Sequence, residues 1–159
     1  MSAKVDWIDG EIHGVEVKDL PIRQDSRGHL FELFRNDEVS PLPVMGYCSG
    51  TNPGVVRGPH EHKAQTDVFV FISNFELYLW DHRPESATYL RRQKLVFSEG
   101  AAQVIVPPGV VHAYKCVVDE DKIGMCFNFP DQLYCGPGKA DPPDEIRHEQ
   151  SVEHPYQLW

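Results

Sequence analysis

Arg57-Gly58-Pro59-His60-Glu61-His62-Lys63-Ala64-Gln65-Thr66-Asp67 runs without a break into Val68-Phe69-Val70-Phe71-Ile72. Only Ser73-Asn74 then separates this apolar run from Phe75 to Trp80. In the second run Phe75, Leu77 and Leu79 alternate with Glu76, Tyr78 and Trp80, the period of a strand. Two strand-like runs joined by two turn-forming residues predict a β-hairpin. Side chains on extended chain alternate between faces, so His60 and His62 point to the same side of their sheet.

The same reading extends in both directions. Upstream, Met1 to Gly10 reads as a loose lead-in and Ile12 to Val17 as an edge-like strand. Gln24-Asp25-Ser26-Arg27-Gly28 is turn chemistry. His29 to Arg35 follows as a strand with Leu30 and Glu32 on one face, Phe31 and Leu33 on the other. Ser40-Pro41-Leu42-Pro43 interrupts, Val44 to Ser49 resumes, and Asn52-Pro53-Gly54 turns the chain into the histidine segment. Downstream, strands are expected over Leu90 to Phe97, Gln103 to Val106, Val110 to Val118 and Ile123 to Phe129. Turns at Ser98-Glu99-Gly100, Pro107-Pro108-Gly109 and Asp119 to Lys122 separate them.

No segment carries a helical period with caps. Many short strands with closely spaced turns predict an all-β protein, and a double-sheet jelly roll of the cupin type places a pocket between its sheets. One domain is expected over residues 1–159, its core about 11–130 and a Pro/Gly-rich tail, 131–159, wrapping the domain or a partner subunit.

Fifteen basic against 24 acidic residues leave a formal charge of −9, which argues against sequence-independent nucleic-acid binding. An anionic small ligand stays open, because a few local arginines outweigh a distant field. Cys48, Cys116, Cys126 and Cys135 show no C-x-x-C spacing and read as reduced thiols. The longest apolar run falls far short of the ~20 residues that span a bilayer, so a soluble, cytoplasmic protein is expected. His13, His29, His82, His148 and His154 read as surface residues, and Phe69, Phe71, Phe75, Trp80 and Phe97 as core or pocket wall.

A third histidine closes the turn Pro107-Pro108-Gly109-Val110-Val111-His112. The spacings His60-x-His62-x4-Asp67 and Gly100-x6-Pro107-x-Gly109-x2-His112 resemble the two metal-binding motifs of the cupin superfamily, with Asp67 in the place of a glutamate. Three imidazoles and a carboxylate suit one divalent transition metal.

A second reading needs no cofactor. Asp25-x-Arg27-Gly28-x-x-x-Glu32, Arg57-Gly58-x-His60, Asp81-x-Arg83-x-x-Ser86-x-Thr88 and Pro107-x-Gly109-x-x-His112 follow one another in order. Together they resemble the dTDP-4-dehydrorhamnose 3,5-epimerase family, as a divergent member. The resemblance implies an RmlC-like cupin, a homodimer, and a nucleotide-linked 4-keto-6-deoxy sugar as substrate. It implies His60 as the base, Arg57 on diphosphate or enolate, Arg27 and Glu32 at the nucleotide, and His112 in the substrate site. The family's lysine position holds Asp67, and the neighbourhood of its tyrosine is Met125-Cys126-Phe127-Asn128-Phe129. His62 or Tyr134 is therefore expected as the second proton-transfer group. The family's carboxylate partner for the base lies in a longer C-terminal tail, so none is expected here. His62 followed by Lys63 also resembles the sugar-nucleotide 3,4-ketoisomerases. A metal-dependent cupin enzyme using His60, His62, Asp67 and His112, or a sugar-nucleotide binder without catalysis, completes the alternatives.

Overall fold

The structure is a computed structural model describing residues 5–98, 100–135 and 142–159. Its strands are β1 (Ile8–Asp9), β2 (Glu16–Leu20), β3 (Arg23–Asp25), β4 (Gly28–Leu30), β5 (Tyr47–Thr51), β6 (Val56–His62) and β7 (Asp67–Phe71). They continue as β8 (Phe75–Asp81), β9 (Arg91–Phe97), β10 (Ala101–Val106), β11 (Val110–Cys116), β12 (Gly124–Asn128) and β13 (Glu145–Arg147). One sheet has the order β1-β9-β8-β11-β6-β13 and the other β2-β10-β7-β12-β5, with β3 and β4 forming a separate hairpin. Apart from β8 with β9 and β3 with β4, strands adjacent in sequence fall in different sheets. β7 and β8, expected as a hairpin, instead cross from one sheet to the other, the crossing that closes a jelly roll of the cupin type.

Alternation in β8 builds the interior. Phe75, Leu77 and Leu79 meet Phe69, Phe71, Val104, Val106 and Val110 between the sheets. Tyr78 and Trp80 point the other way, yet Trp80 is fully buried. The chain's last residues cover them: Tyr156 joins Trp80, Val111 and Ala113, with Trp7 and Leu158 packed alongside. Trp159 stands edge-on to Trp80 and under the Arg92 guanidinium, 4.3 Å from the ring centroid. Burying rings of this size is among the larger single contributions to stability, about 2–3 kcal/mol for each.

Several local expectations shift. β1 is not a loose lead-in but pairs in parallel with β9. The first full strand is Glu16–Leu20, because Gly14 turns the chain at φ +85° and Ile12 plugs the core instead. The strand expected from His29 stops at Leu30. Phe31 and Leu33 leave the ladder to cover Leu20, Val70 and Ala101 on the outer face of the five-stranded sheet. His82 and His148 are not idle at the surface. His82 Nδ1 meets the Tyr156 hydroxyl at 2.9 Å and His148 Nε2 meets Glu61 Oε1 at 2.8 Å, both holding the tail down. All four cysteines are free thiols.

Asp81-x-Arg83-x-x-Ser86-x-Thr88 forms a structural clasp. The fully buried Asp81 carboxylate accepts Arg83 Nε at 2.8 Å and the Ser86 and Thr88 hydroxyls at 2.6 Å each. Burial alone would raise this carboxyl, but the hydrogen bonds from Arg83, Ser86 and Thr88 outweigh it and hold it well below the usual range. Asp81→Ala strands the arginine and both hydroxyls and is expected to cost about 3 kcal/mol, read as a lower urea midpoint. Because the folded carboxyl is depressed, its contribution is complete above about pH 4 and drains away as the pH falls through the folded value. Acid titration of the wild type and the alanine variant is therefore expected to converge at low pH.

Candidate active site

His60 and His62 reach the inner face of the six-stranded sheet from β6, as their spacing requires. Pairing of β6 with β11 sets His60 directly opposite His112, and the register slips between His112 and Tyr114. Gly58 makes that close approach possible. At φ +87°, an added Cβ would stand 2.5 Å from the His112 carbonyl oxygen and 3.1 Å from His60 Nδ1. The His60 and His112 rings are 4.4 Å apart and those of His60 and His62 5.8 Å, both pairs edge-on.

Behind the histidines lies Asp67, 1% exposed, at the start of β7 in the other sheet. Gln65 Nε2 and Asn128 Nδ2 each donate to its Oδ1 at 2.8 Å. Its Oδ2 faces His62 Nε2 at 3.3 Å and His112 Nε2 at 3.4 Å. Burial opposes the charge on Asp67, but His62 and the other neighbours prevail and keep it ionised. His60 is driven well below the ordinary imidazole value by burial first, then by His112 and His62, so it is neutral near pH 7. Burial likewise lowers His112. His62 is raised, since Asp67, Glu145 and Asp144 outweigh its burial.

In front of the histidines a cavity of about 770 Å³ opens between the sheets. His60, His62, Arg57 and Tyr134, four of the candidates from the sequence, line it. His112 does not; it is 1% exposed and backs the other two rings. Arg57 is anchored by Nε to Thr51 Oγ1 and by Nη2 to the Gly50 carbonyl, both at 2.9 Å. Arg27 and Glu32 lie elsewhere: Arg27 pairs with Asp25 at 2.6 Å on the exposed β3–β4 hairpin, and Glu32 with Arg35 at 3.4 Å.

The sequence reading missed several wall residues. The tail does bring carboxylates: β13 pairs with β6, placing Glu145 beside His62 in register, with Glu145 Oε1 3.8 Å from His60 Nε2. Asp144 Oδ2 stands 3.9 Å from His62 Nδ1. The expectation of no partner failed because Pro142-Pro143-Asp144-Glu145 has no strand-like pattern of its own. Tyr47, on the opposite sheet, also lines the cavity. Its hydroxyl accepts Asn128 Nδ2 at 3.0 Å, and burial pushes it up to about 12. The one signal for Asn128 was a lone amide inside an apolar strand.

Residues 9–134 match the dTDP-4-dehydrorhamnose 3,5-epimerase family. The chain belongs to that family. It is an isomerase of the sugar-nucleotide epimerase class. The protein named probable low-salt glycan biosynthesis epimerase Agl13, of Haloferax volcanii, is 40% identical to this epimerase over 141 residues, 86% of each chain. The spore coat polysaccharide biosynthesis protein SpsL of Bacillus subtilis is 32% identical over 86% of this chain and 88% of its own. The crystal structure of a dTDP sugar isomerase from Desulfovibrio desulfuricans superposes with a TM-score of 0.77 at 19% identity, over 89% of this chain and 87% of that one. That likeness shows the shared cupin-type double-stranded β-helix. Among the described residues no helix is long and apolar enough to cross a membrane.

Gly58→Ala is expected to lower stability by more than about 2 kcal/mol, since a left-handed backbone and a carbonyl contact are strained together. It is also expected to misplace His60. An unchanged urea midpoint with unchanged turnover would show that the His60–His112 approach is not set here.

Proposed function

We propose that this epimerase inverts carbon next to the ketone of a nucleotide-linked 4-keto-6-deoxy sugar, with His60 as the general base. The observation that carries the reading is a neutral, cavity-lining imidazole with a carboxylate within reach. The ketone acidifies the neighbouring C–H bond. His60 takes that proton, and the bonding pair moves into the carbonyl to give an enolate. Protonation of the enolate from the opposite face inverts the carbon and restores the ketone. His60 Nδ1 is enclosed by protein, which leaves Nε2 toward the cavity and Glu145. Glu145 favours the imidazolium that the first step creates.

The second proton-transfer group must stand on the other side of the sugar. Tyr134 and His62 both line the cavity, but His62 shares the sheet face of His60. Tyr47 belongs to the opposite sheet. Its oxygen accepts from Asn128, so its own O–H is free for the substrate, and its raised pKa keeps it protonated. We assign the donor role to Tyr47. Arg57 and Arg147, both on the cavity wall, supply the charge that a diphosphate or an enolate calls for.

Arg27 and Glu32 suit the nucleotide only if a second copy brings its own hairpin to this cavity. We therefore propose that the enzyme acts as a homodimer, in the cytoplasmic setting expected of its sequence. In support, the hairpin region leaves Leu30 62% and Ile22 45% exposed beside Arg27. Sedimentation is expected to give twice the chain mass, and a monomer that turns over would remove Arg27 and Glu32 from the site.

Deuterium wash-in from heavy water into a dTDP-linked 4-keto-6-deoxy sugar tests the chemistry. His60→Ala is expected to fold and to lose roughly 100- to 10,000-fold in exchange rate; an unchanged rate would sink the assignment. Tyr47→Phe is expected to keep exchange while losing the inverted product. A product with its carbonyl moved to the neighbouring carbon would make the enzyme a 3,4-ketoisomerase, and binding without exchange would make it a binder.

A further inference from the structure

We propose that His148, which grips Glu61 away from the cavity, is a positioning residue that holds Glu145 against His60. The inference rests on the reading of His60 as the base. β13 is a three-residue strand at the edge of its sheet, paired among the described residues with β6. So short a ladder offers few backbone bonds to fix its register, yet the register decides the chemistry. Glu145 and Arg147 line the cavity, and Ile146 between them does not. A slip of one residue would turn both charged side chains out and Ile146 in. Glu145 does not hold the strand itself. Its Oε2 takes Arg147 Nε at 2.7 Å, within the same strand. Its Oε1 stands 3.8 Å from His60 Nε2, too far for a hydrogen bond.

What fixes the register lies outside the ladder, at its two ends. Before it, Asp144 Oδ2 accepts the backbone N–H groups of Ala64 at 3.0 Å and Gln65 at 2.9 Å. The Asp144 carbonyl accepts that of Lys63 at 3.3 Å. After it, the chain enters a single 3-10 turn, His148–Gln150, and His148 Nε2 meets Glu61 Oε1 at 2.8 Å. A carboxylate only accepts, so Nε2 carries the proton and donates it. Glu61 lies on β6 between His60 and His62, opposite Ile146 in register. The bond therefore ties β13 to the segment that presents the base. Tyr156 braces the imidazole from behind, its ring 4.6 Å away, buried, and bonded through its hydroxyl to His82. Asp144 also faces His62 Nδ1 at 3.9 Å, whereas His148 lines no part of the cavity. His148 thus reaches the reaction through the strand it ends. The competing account is that His148 merely fastens the tail, with Asp144 and Tyr156 sufficient to place Glu145.

The test follows two readouts on the full chain: backbone amide exchange across Glu145–Arg147, and deuterium wash-in into a dTDP-linked 4-keto-6-deoxy sugar. The His148 side chain is partly exposed, so its variants are expected to fold. In His148→Ala, amide exchange across β13 is expected to speed at least about tenfold, with β8 and β11 unchanged. Wash-in is expected to fall about 10- to 100-fold, the cost of a misplaced group. His148→Gln keeps a donor near the position of Nε2 and is expected to restore both readouts. Because His148 acts through Glu145, adding His148→Ala to Glu145→Gln is expected to cost less than about twofold more. Unchanged amide exchange in His148→Ala overturns the proposal, and so does a full additional loss in the double variant. Glu145→Gln at the wild-type rate overturns it too, while leaving His60 as the base. His60→Ala at the wild-type rate faults the epimerase mechanism instead, and amide exchange then still decides whether His148 places β13.

Discussion

A single buried carboxylate holds the mouth of the sandwich together. Asp67 sits on β7 of one sheet and faces His62 and His112 on β6 and β11 of the other. Charges this deep persist only when their oxygens are answered, and here two amides answer one oxygen. Asn128 extends the tie. Its Oδ1 accepts the Val68 N–H at 3.1 Å, and its Nδ2 serves both Asp67 and the Tyr47 hydroxyl. One amide thereby links β5, β7 and β12, and through Asp67 it reaches across the interior. Both histidine orientation and the phenol on the far wall descend from this knot.

The electrostatics divide the three imidazoles. Burial beside two like neighbours keeps His60 neutral, whereas the carboxylates around His62 favour its proton. His112, fully enclosed, is neutral with its tautomer set by Val110. Identical side chains a few ångströms apart are thus given different chemistry by their surroundings, the usual way a fold separates base from support.

What was legible in the sequence was whatever period two or turn chemistry imposes. His60 and His62 share a face, Phe75 to Trp80 forms a strand, and Pro107 to Gly109 turns the chain toward His112, all as read. Tertiary packing hid the rest. Phe31 and Leu33 look like strand residues but serve as a lid over Val70, and nothing local distinguishes the two uses. Asp81 to Thr88 matched a family pattern, yet its role is a buried clasp rather than ligand contact. Asn128, Tyr47 and Glu145 belong to the site through pairings across long stretches of chain. No short window of sequence contains that information.

β13 carries a consequence of its own. It hydrogen-bonds to β6 from more than half the chain away, occupying the edge that bears the histidines. During synthesis that edge stays bare until the tail emerges, so the sandwich can close while its pocket still lacks Glu145. The wall that carries Glu145 is thus the last part of the cavity to be synthesised, long after the histidines it faces.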